Sequence, residues 1–398
     1  MSEEKLVPKL RFSGFDDEWK KSNLGNISSN EMYGMNSAAK DYDGFNKYIR
    51  ITDISETSNK FIPNPLTSPD GDLEDKYKLK KGDIVFARTG ASTGKTYLYD
   101  DNDRNLYFAG FLIKFHIDNA DPKFIFYNTL KEEYLNWVSV MSVRSGQPGI
   151  NSNEYKKLPI ILPSLDEQNK ISNFLTSIDK KIDLLERKHQ FYQEFKKFLM
   201  QQIFTQKLRF NFTDEWEKYL LGDISLIGKG FTPSTSNPSF WDGDLKWLSI
   251  ADMNQGKYIN QTTKKITSDG SKNKEPVKKG TLLMSFKLSI GKLGILTEDM
   301  YTNEAICNFK WKNKDVLTEY MYYYLSSINI LKYGSQAAKG ITLNNETLST
   351  IPVLLPSLEE QKKIINILSD VDMKINMLEN SINDTSKFKK GLLQQMFV

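Results

Sequence analysis

The chain is written twice. Residues 8–25 read PKLRFSGFDDEWKKSNLG and residues 206–222 read QKLRFNFTDEWEKYLLG, matching at Leu10/Leu208, Arg11/Arg209, Phe12/Phe210, Glu18/Glu215, Trp19/Trp216 and Gly25/Gly222. Further on, LKKGDIVFARTGASTGK (79–95) aligns with VKKGTLLMSFKLSIGK (277–292), and LPIILPSLDEQNKI (158–171) with IPVLLPSLEEQKKI (351–364). Three matches in the same order make repetition the first constraint on the fold. The chain must fold as two copies of one plan, each a globular part followed by a long helical segment. A repeat by itself states organisation and no chemistry, but a pseudo-symmetric protein suits a ligand with two half-sites.

The helical segments follow Pro163 and Pro356, where a proline ends an incoming strand without disturbing the helix behind it. Ser164 with Glu167 and Ser357 with Glu360 read as capping boxes. Apolar positions then step by four and three. In the first segment they are Ile171, Leu175, Ile178, Ile182 and Leu185, and in the second Ile364, Leu368, Val371, Ile375 and Leu378. This is a coiled-coil seam in one register. It predicts two paired helices over 164–204 and 357–398, each about 60 Å long. The seam weakens at the same place in both, at Lys196 and Lys389, where polar residues are expected to fix register. His189 falls on the seam and reads as a packed or hydrogen-bonded side chain. Phe191, Phe195 and Phe198 form a second stripe, suited either to the adjacent globular part or to another subunit.

The globular parts, 1–163 and 205–356, mix strand-like runs (KGDIVFAR, KGTLLMSF) with amphipathic helical runs at 124–138 and 319–333. The fold class expected is α+β, two tandem α+β domains separated by two long helices that form an antiparallel coiled coil. With 39% hydrophobic and 12% aromatic residues the chain is a folded one. No apolar run approaches the eighteen or so residues of a membrane span, and MSEEKLVPKLRF does not resemble a secretory signal, so a cytoplasmic protein is expected. Cys307 is the sole cysteine, and with only His116 and His189 a Cys/His zinc site is ruled out. The net charge of +4 says little about partners.

Enzyme signatures fail one by one. TGASTGKT (89–96) has three residues between Gly90 and Gly94 where a phosphate-binding loop needs four, and FKLSIGK lacks the first glycine. PDGDLEDK (69–76) is too tightly spaced for a metal-dependent nuclease and has no counterpart in the second half. Asn64-Pro65 and Asn237-Pro238 lack the second proline of an adenine-methyltransferase motif. No catalytic residues and no metal ligands are assigned.

What remains are polar loops at matching places. The loop 88–95, with Arg88, Thr89, Ser92 and Lys95, corresponds to 286–292, with Lys287, Ser289 and Lys292; the loop 144–151, with Arg144, Ser145, Gln147 and Asn151, corresponds to 334–342, with Ser335, Gln336, Lys339 and Thr342. Arg and Lys suit guanine O6/N7, Gln and Asn suit adenine N6/N7, and Ser, Thr and Lys suit phosphates. These fifteen residues are the candidate DNA contacts. The residues alone leave three classes open: a DNA reader, a coiled-coil protein-interaction scaffold, and a self-contained nuclease or ATPase.

The order of globular unit, LPSLDEQ with a long helix, second globular unit, and LPSLEEQ with a second long helix resembles the specificity subunits of type I restriction-modification systems. KGDIVFARTGASTGK, SGQPGIN and the two LRF…DEW segments strengthen the resemblance, which covers essentially the whole chain. It implies that each globular unit is a target-recognition domain for one half of a bipartite site in double-stranded DNA. The helices would pair antiparallel, set the spacer and dock two methyltransferase subunits, with two restriction subunits joining. The partners would use S-adenosylmethionine, ATP and Mg2+ for adenine N6 methylation, translocation and cleavage. This chain itself would bind no cofactor. The loop at 88–95 is one residue longer than its counterpart, which fits two different half-sites.

Overall fold

The computed structural model describes residues 5–143, 146–287, 289–337 and 340–398, with the side chains of 335–342 outside the description. The chain divides into two compact units, residues 1–185 with 380–398, and residues 186–379. Two long helices, Leu165–Phe204 and Leu358–Gln395, contribute to both. Among the described residues no helix is long and apolar enough to cross a membrane.

Each unit is built on one antiparallel sheet of the same order. In the first, the strands Ser28–Tyr33, Leu112–Ile117, Asp83–Ala87 and Thr96–Leu98 lie side by side. In the second, Ser225–Lys229, Ile306–Trp311, Leu282–Ser285 and Leu293–Leu296 repeat that order, and Tyr258–Ile259 adds a parallel edge. The runs KGDIVFAR and KGTLLMSF supply an inner strand of each sheet. Side chains alternate across a strand, so an unbroken apolar run means a strand buried on both faces. Ile84 and Phe86 enter a core with Trp19, Phe115, Phe124 and Tyr155, while Val85 and Ala87 enter another with Phe108 and Leu112. Leu282 and Met284 part from Leu283 in the same way.

The opening and closing repeats of each half meet in space. Lys20–Asn23 pairs antiparallel with Pro159–Leu162, and Glu217–Leu220 with Pro352–Leu355. Beside each ribbon sits an ion pair that the repeats had placed far apart in sequence. Arg11 donates to Glu167 at 2.7 and 2.8 Å, and Arg209 to Glu360 at 3.0 and 2.7 Å, both carboxylates being almost fully buried. The carboxylates hold these guanidiniums charged beyond their ordinary range. This corrects the capping-box reading. Ser164 and Ser357 do accept from the backbone N–H of Glu167 and Glu360, but the glutamate carboxylates are committed to arginine instead of to the cap. The neighbouring Gln168 accepts from Asp121 N and donates to Pro163 O; Gln361 accepts from Leu317 N and donates to Asp315 O and Pro356 O. The Glu-Gln of each LPSL repeat is therefore a clamp between helix start and globular part.

One partner differs. Trp216 Nε1 donates to Glu360 at 3.0 Å, whereas Trp19 Nε1 is buried with no hydrogen-bond partner. Trp216→Phe removes a bond to a charged acceptor, and Trp19→Phe removes only an unsatisfied donor. Urea unfolding of the two full-length variants is expected to show Trp216→Phe costing about 1.5–3 kcal/mol more than Trp19→Phe. Equal losses would mean that the bond contributes nothing net.

The seam residues are placed within each unit. Ile171, Leu175 and Ile178 are buried in the first unit with Leu392, Leu393 and Met396, and Ile182 packs at the edge of that core, Leu185 being half-buried. Ile364, Leu368 and Val371 are buried in the second unit with Leu199, Met200 and Ile203; Ile375 packs against them and Leu378 is buried. The helix directions oppose: early turns of one meet late turns of the other. The weak seam positions acquire a cause. Lys389 bonds Asp179 at 2.6 Å and lies over the Tyr127 ring, while Tyr127 donates to Asp179 at 2.7 Å. Lys196, Asp372 and Tyr323 repeat the arrangement at 2.6 and 2.6 Å. Burial and the adjacent aspartate push both phenols upward, so they remain donors at neutral pH. A charge placed once per helix and matched once penalises any slipped register.

Two expectations change. The helical run at 124–138 is two helices, Pro122–Asn128 and Glu132–Met141. Asn128 and Thr129 turn their side chains back onto Phe124 O and Phe126 O, which ends the first helix. The run at 319–333 is likewise a helix, Thr318–Ser327, followed by the single turn Ile330–Tyr333. Of the second stripe, Phe191 and Phe198 are exposed by more than half, and Phe191 meets the rings of Tyr192 and Phe195 on its own helix, so these two side chains are not covered by the adjacent globular part. His189 Nε2 is buried with no hydrogen-bond partner, a packed histidine.

Candidate functional site

In the first unit the two candidate loops form one surface. Gly90 N donates to Pro148 O at 3.0 Å, Ile150 N to Arg88 O at 2.9 Å, and Thr89 bridges Gly149. Thr93 closes the turn onto Gly90 O. Gly94 stands at φ +91° with Val138 so near that a Cβ would lie 2.6 Å from it. The glycines of TGASTGK thus serve a tight turn packed on a helix, which accounts for the near-miss to a phosphate loop without any phosphate.

The candidate residues separate by what their side chains already hold. Lys95 is turned inward, its side chain 9% exposed, donating to Ile54 O at 3.1 Å and paired with Glu56. Asn151 caps the short helix Ser152–Tyr155: its oxygen accepts from Glu154 N at 3.0 Å, and Glu154 returns a bond to Asn151 N. Both positions are structural as they stand. Thr89 and Ser92 are half-buried on the turn, and Gln147 is exposed beside Gly90. Arg144 and Ser145 lie outside the described residues.

Arg88 is placed differently from Arg11, Arg50 and Arg209, which pair with carboxylates. Its Nε donates to Gly110 O at 3.0 Å, and its guanidinium lies over the rings of Tyr33 and Phe111, 5.0 and 5.9 Å from their centres. A cavity of about 540 Å³ opens beside it, lined by Tyr33, Arg50, Thr52, Gly110 and Phe111 among others. Arg50 in that wall is held by both oxygens of Asp53 at 2.8 Å. Tyr33 and Phe111 were not legible as site residues, since neither lies in a repeated or polar motif.

In the second unit the corresponding turn carries exposed Lys287, its ammonium 5.8 Å from the Phe286 ring centre. Ser289 adopts φ +50°, and its carbonyl accepts from Ser285 Oγ. Lys292 donates to Asn254 Oδ1 at 2.7 Å. The second loop is a hairpin, Ser335–Ala337 against Gly340–Thr342, with Ser335 opposite Thr342 and Gln336 opposite Ile341. Lys339 lies outside the described residues.

The family model for the type I restriction modification DNA specificity domain matches twice, over residues 16–190 and 213–385. The chain is 24% identical to the type I restriction enzyme HindI specificity subunit of Haemophilus influenzae, covering 92% of this chain and 95% of that one. It is 29% identical over 189 residues to the MjaIX specificity subunit of Methanocaldococcus jannaschii, covering 45% and 42% of the two chains. The fold is shared with the type I restriction-modification S subunit from M. genitalium, at a TM-score of 0.61 and 15% identity over 98% of this chain and 99% of that one. A chain of a type I restriction-modification system solved for its complex assembly and conformational transition matches with a TM-score of 0.60 at 18% identity, covering 96% and 97%. Both matched stretches take in one globular part and most of the long helix that follows it, and on that evidence this chain belongs to the type I restriction modification DNA specificity domain family.

Proposed function

We propose that this chain is the DNA sequence-specificity subunit of a type I restriction-modification complex. The observation that carries the reading is a family match over both halves of a chain whose sheet frames and clamps repeat while its candidate loops differ. Residues 1–163 and 205–356 are the two target-recognition domains, each reading one half of a bipartite site, and residues 164–204 and 357–398 are the spacer helices. The chain supplies no catalytic group. Methylation of adenine N6, translocation and cleavage belong to methyltransferase and restriction subunits that bring S-adenosylmethionine, ATP and Mg2+. The exposed face bearing Phe191, Phe195 and Phe198 supports docking of a methyltransferase subunit. Contacts to phosphates supply affinity and contacts to base edges supply choice.

The test is to assemble the chain with its methyltransferase subunit and map methylated adenines across a host chromosome. One split motif is expected. Methylation that ignores this chain's identity would leave the scaffold reading in its place. The spacer role has its own test. Seven residues inserted after Leu185 and seven after Leu378 preserve both seams and add about 10 Å of helix. Methylation at the original spacing should disappear, and any motif recovered should carry a spacer longer by about three base pairs. An unchanged spacer would refute the ruler.

A further inference from the structure

We propose that Arg88 reads one guanine through the major groove of duplex DNA, held for that purpose by Tyr33, Phe111 and the Gly110 carbonyl, and that the second unit has no such reader. This deepens the DNA-reading function above and rests on it.

Arg11, Arg50 and Arg209 each face a carboxylate. Arg88 does not: among the described residues its side chain meets a backbone carbonyl and two aromatic rings. Rings on a guanidinium fix its plane and leave its charge unneutralised. With Nε committed to Gly110 O, the two terminal nitrogens remain as an end-on fork. Guanine offers O6 and N7 as adjacent acceptors at that spacing, and Arg on guanine is the commonest base-specific contact. The rings are themselves exposed, 60% for Phe111 and 39% for Tyr33. Apolar rings left in water around a half-buried cation are costly for the free protein, and they suit a surface that a base-pair edge will cover. The bonds from Gly90 and Ile150 bring the second loop, with exposed Gln147, to the same spot.

Backbone bonds identify the equivalent positions in the second unit. Arg88 N donates to Phe111 O as Phe286 N donates to Ala305 O, and Gly34 N donates to Leu112 O as Gly230 N donates to Ile306 O. Phe286 therefore stands where Arg88 stands, Ala305 where Phe111 stands, and Lys229 where Tyr33 stands. Phe286 and Ala305 are both buried. The frame is kept while the fork and both of its rings are gone.

The experiment is a selection from duplex DNA with a randomised core, using the full-length chain assembled with its methyltransferase subunit. Wild type, Arg88→Gln and Phe111→Ala are compared, and the second half-site in each selected sequence reports whether a variant is folded. Arg88→Gln should lose preference for guanine at one position of one half-site, roughly ten- to a hundredfold, with every other position kept. Phe111→Ala should weaken the same position less. Placing 7-deazaguanine at that position removes N7 alone; it should weaken wild type about tenfold and leave Arg88→Gln indifferent. The inference is overturned if Arg88→Gln changes no position, or if it weakens all sequences equally, as a phosphate contact would. If wild type enriches no split sequence, the DNA-reading function itself falls, and this inference with it.

Discussion

Exchanging residues 225–343 for the corresponding stretch of a subunit with another specificity is expected to replace one half of the methylated motif entirely and leave the other half unchanged. The boundaries follow from the structure. The ribbon of Glu217–Leu220 with Pro352–Leu355 and the Arg209–Glu360 pair lie outside the exchanged stretch, and Gln361 reaches into it through the backbone of Asp315 and Leu317, so the graft meets its own kind of frame. The helix Thr318–Ser327 lies inside it and must keep its inward side chains. Tyr320 packs edge-on to Phe204, and Tyr323 donates to Asp372. Methylome sequencing of cells carrying the chimera reads the result directly. A motif altered in both halves would end the modular account, because it would mean that the two units read jointly.

Glu360→Ala is expected to be among the most damaging single changes outside the cores. It strips a buried carboxylate from Arg209 and from Trp216 Nε1 together. Losing one member of a buried pair costs roughly 3 kcal/mol here, the low end of the usual range because Arg209 itself reaches solvent. The double variant Arg209→Met/Glu360→Leu should recover much of that loss, since it leaves no unpaired charge behind. Chemical unfolding of the full-length chain separates the cases. A double variant as unstable as the single one would show that the ion pair is not what Glu360 provides.

These two residues also mark how far the sequence could be read. The LRF and LPSL-Glu-Gln repeats were visible, and so was the serine cap. That the arginine of one repeat is held by the glutamate of the other was not, because the i, i+3 spacing of a capping box offers that glutamate a nearer partner. The seam was legible from its period, including its weakness at Lys196 and Lys389. Their partners, Asp179 and Asp372, stand off the apolar stripe, and nothing periodic marks them. The break in the 124–138 run came from two side chains bonding backwards, which outweighed a continuous amphipathic pattern. In the candidate site, polar residue type selected Lys95 and Asn151 without showing that the fold engages both side chains. It missed Tyr33 and Phe111, because aromatic residues read as core until their exposure is known.

The first unit is closed by residues from the far side of the chain. Leu392, Leu393, Met396 and Phe397 complete the core around Trp19 and Phe124, and Lys131 reaches the Val398 carbonyl. On a ribosome this makes the part synthesised first the part finished last. At ordinary rates Phe397 emerges roughly 10 to 40 s after Phe204, and through that interval the first sheet stands with an apolar flank open to water. The second unit draws its buried core from residues 199–378 and can close earlier. A nascent chain of this design therefore depends on chaperones for its N-terminal half longer than for its C-terminal half, and premature termination near residue 390 leaves the first unit, rather than the second, without its seal.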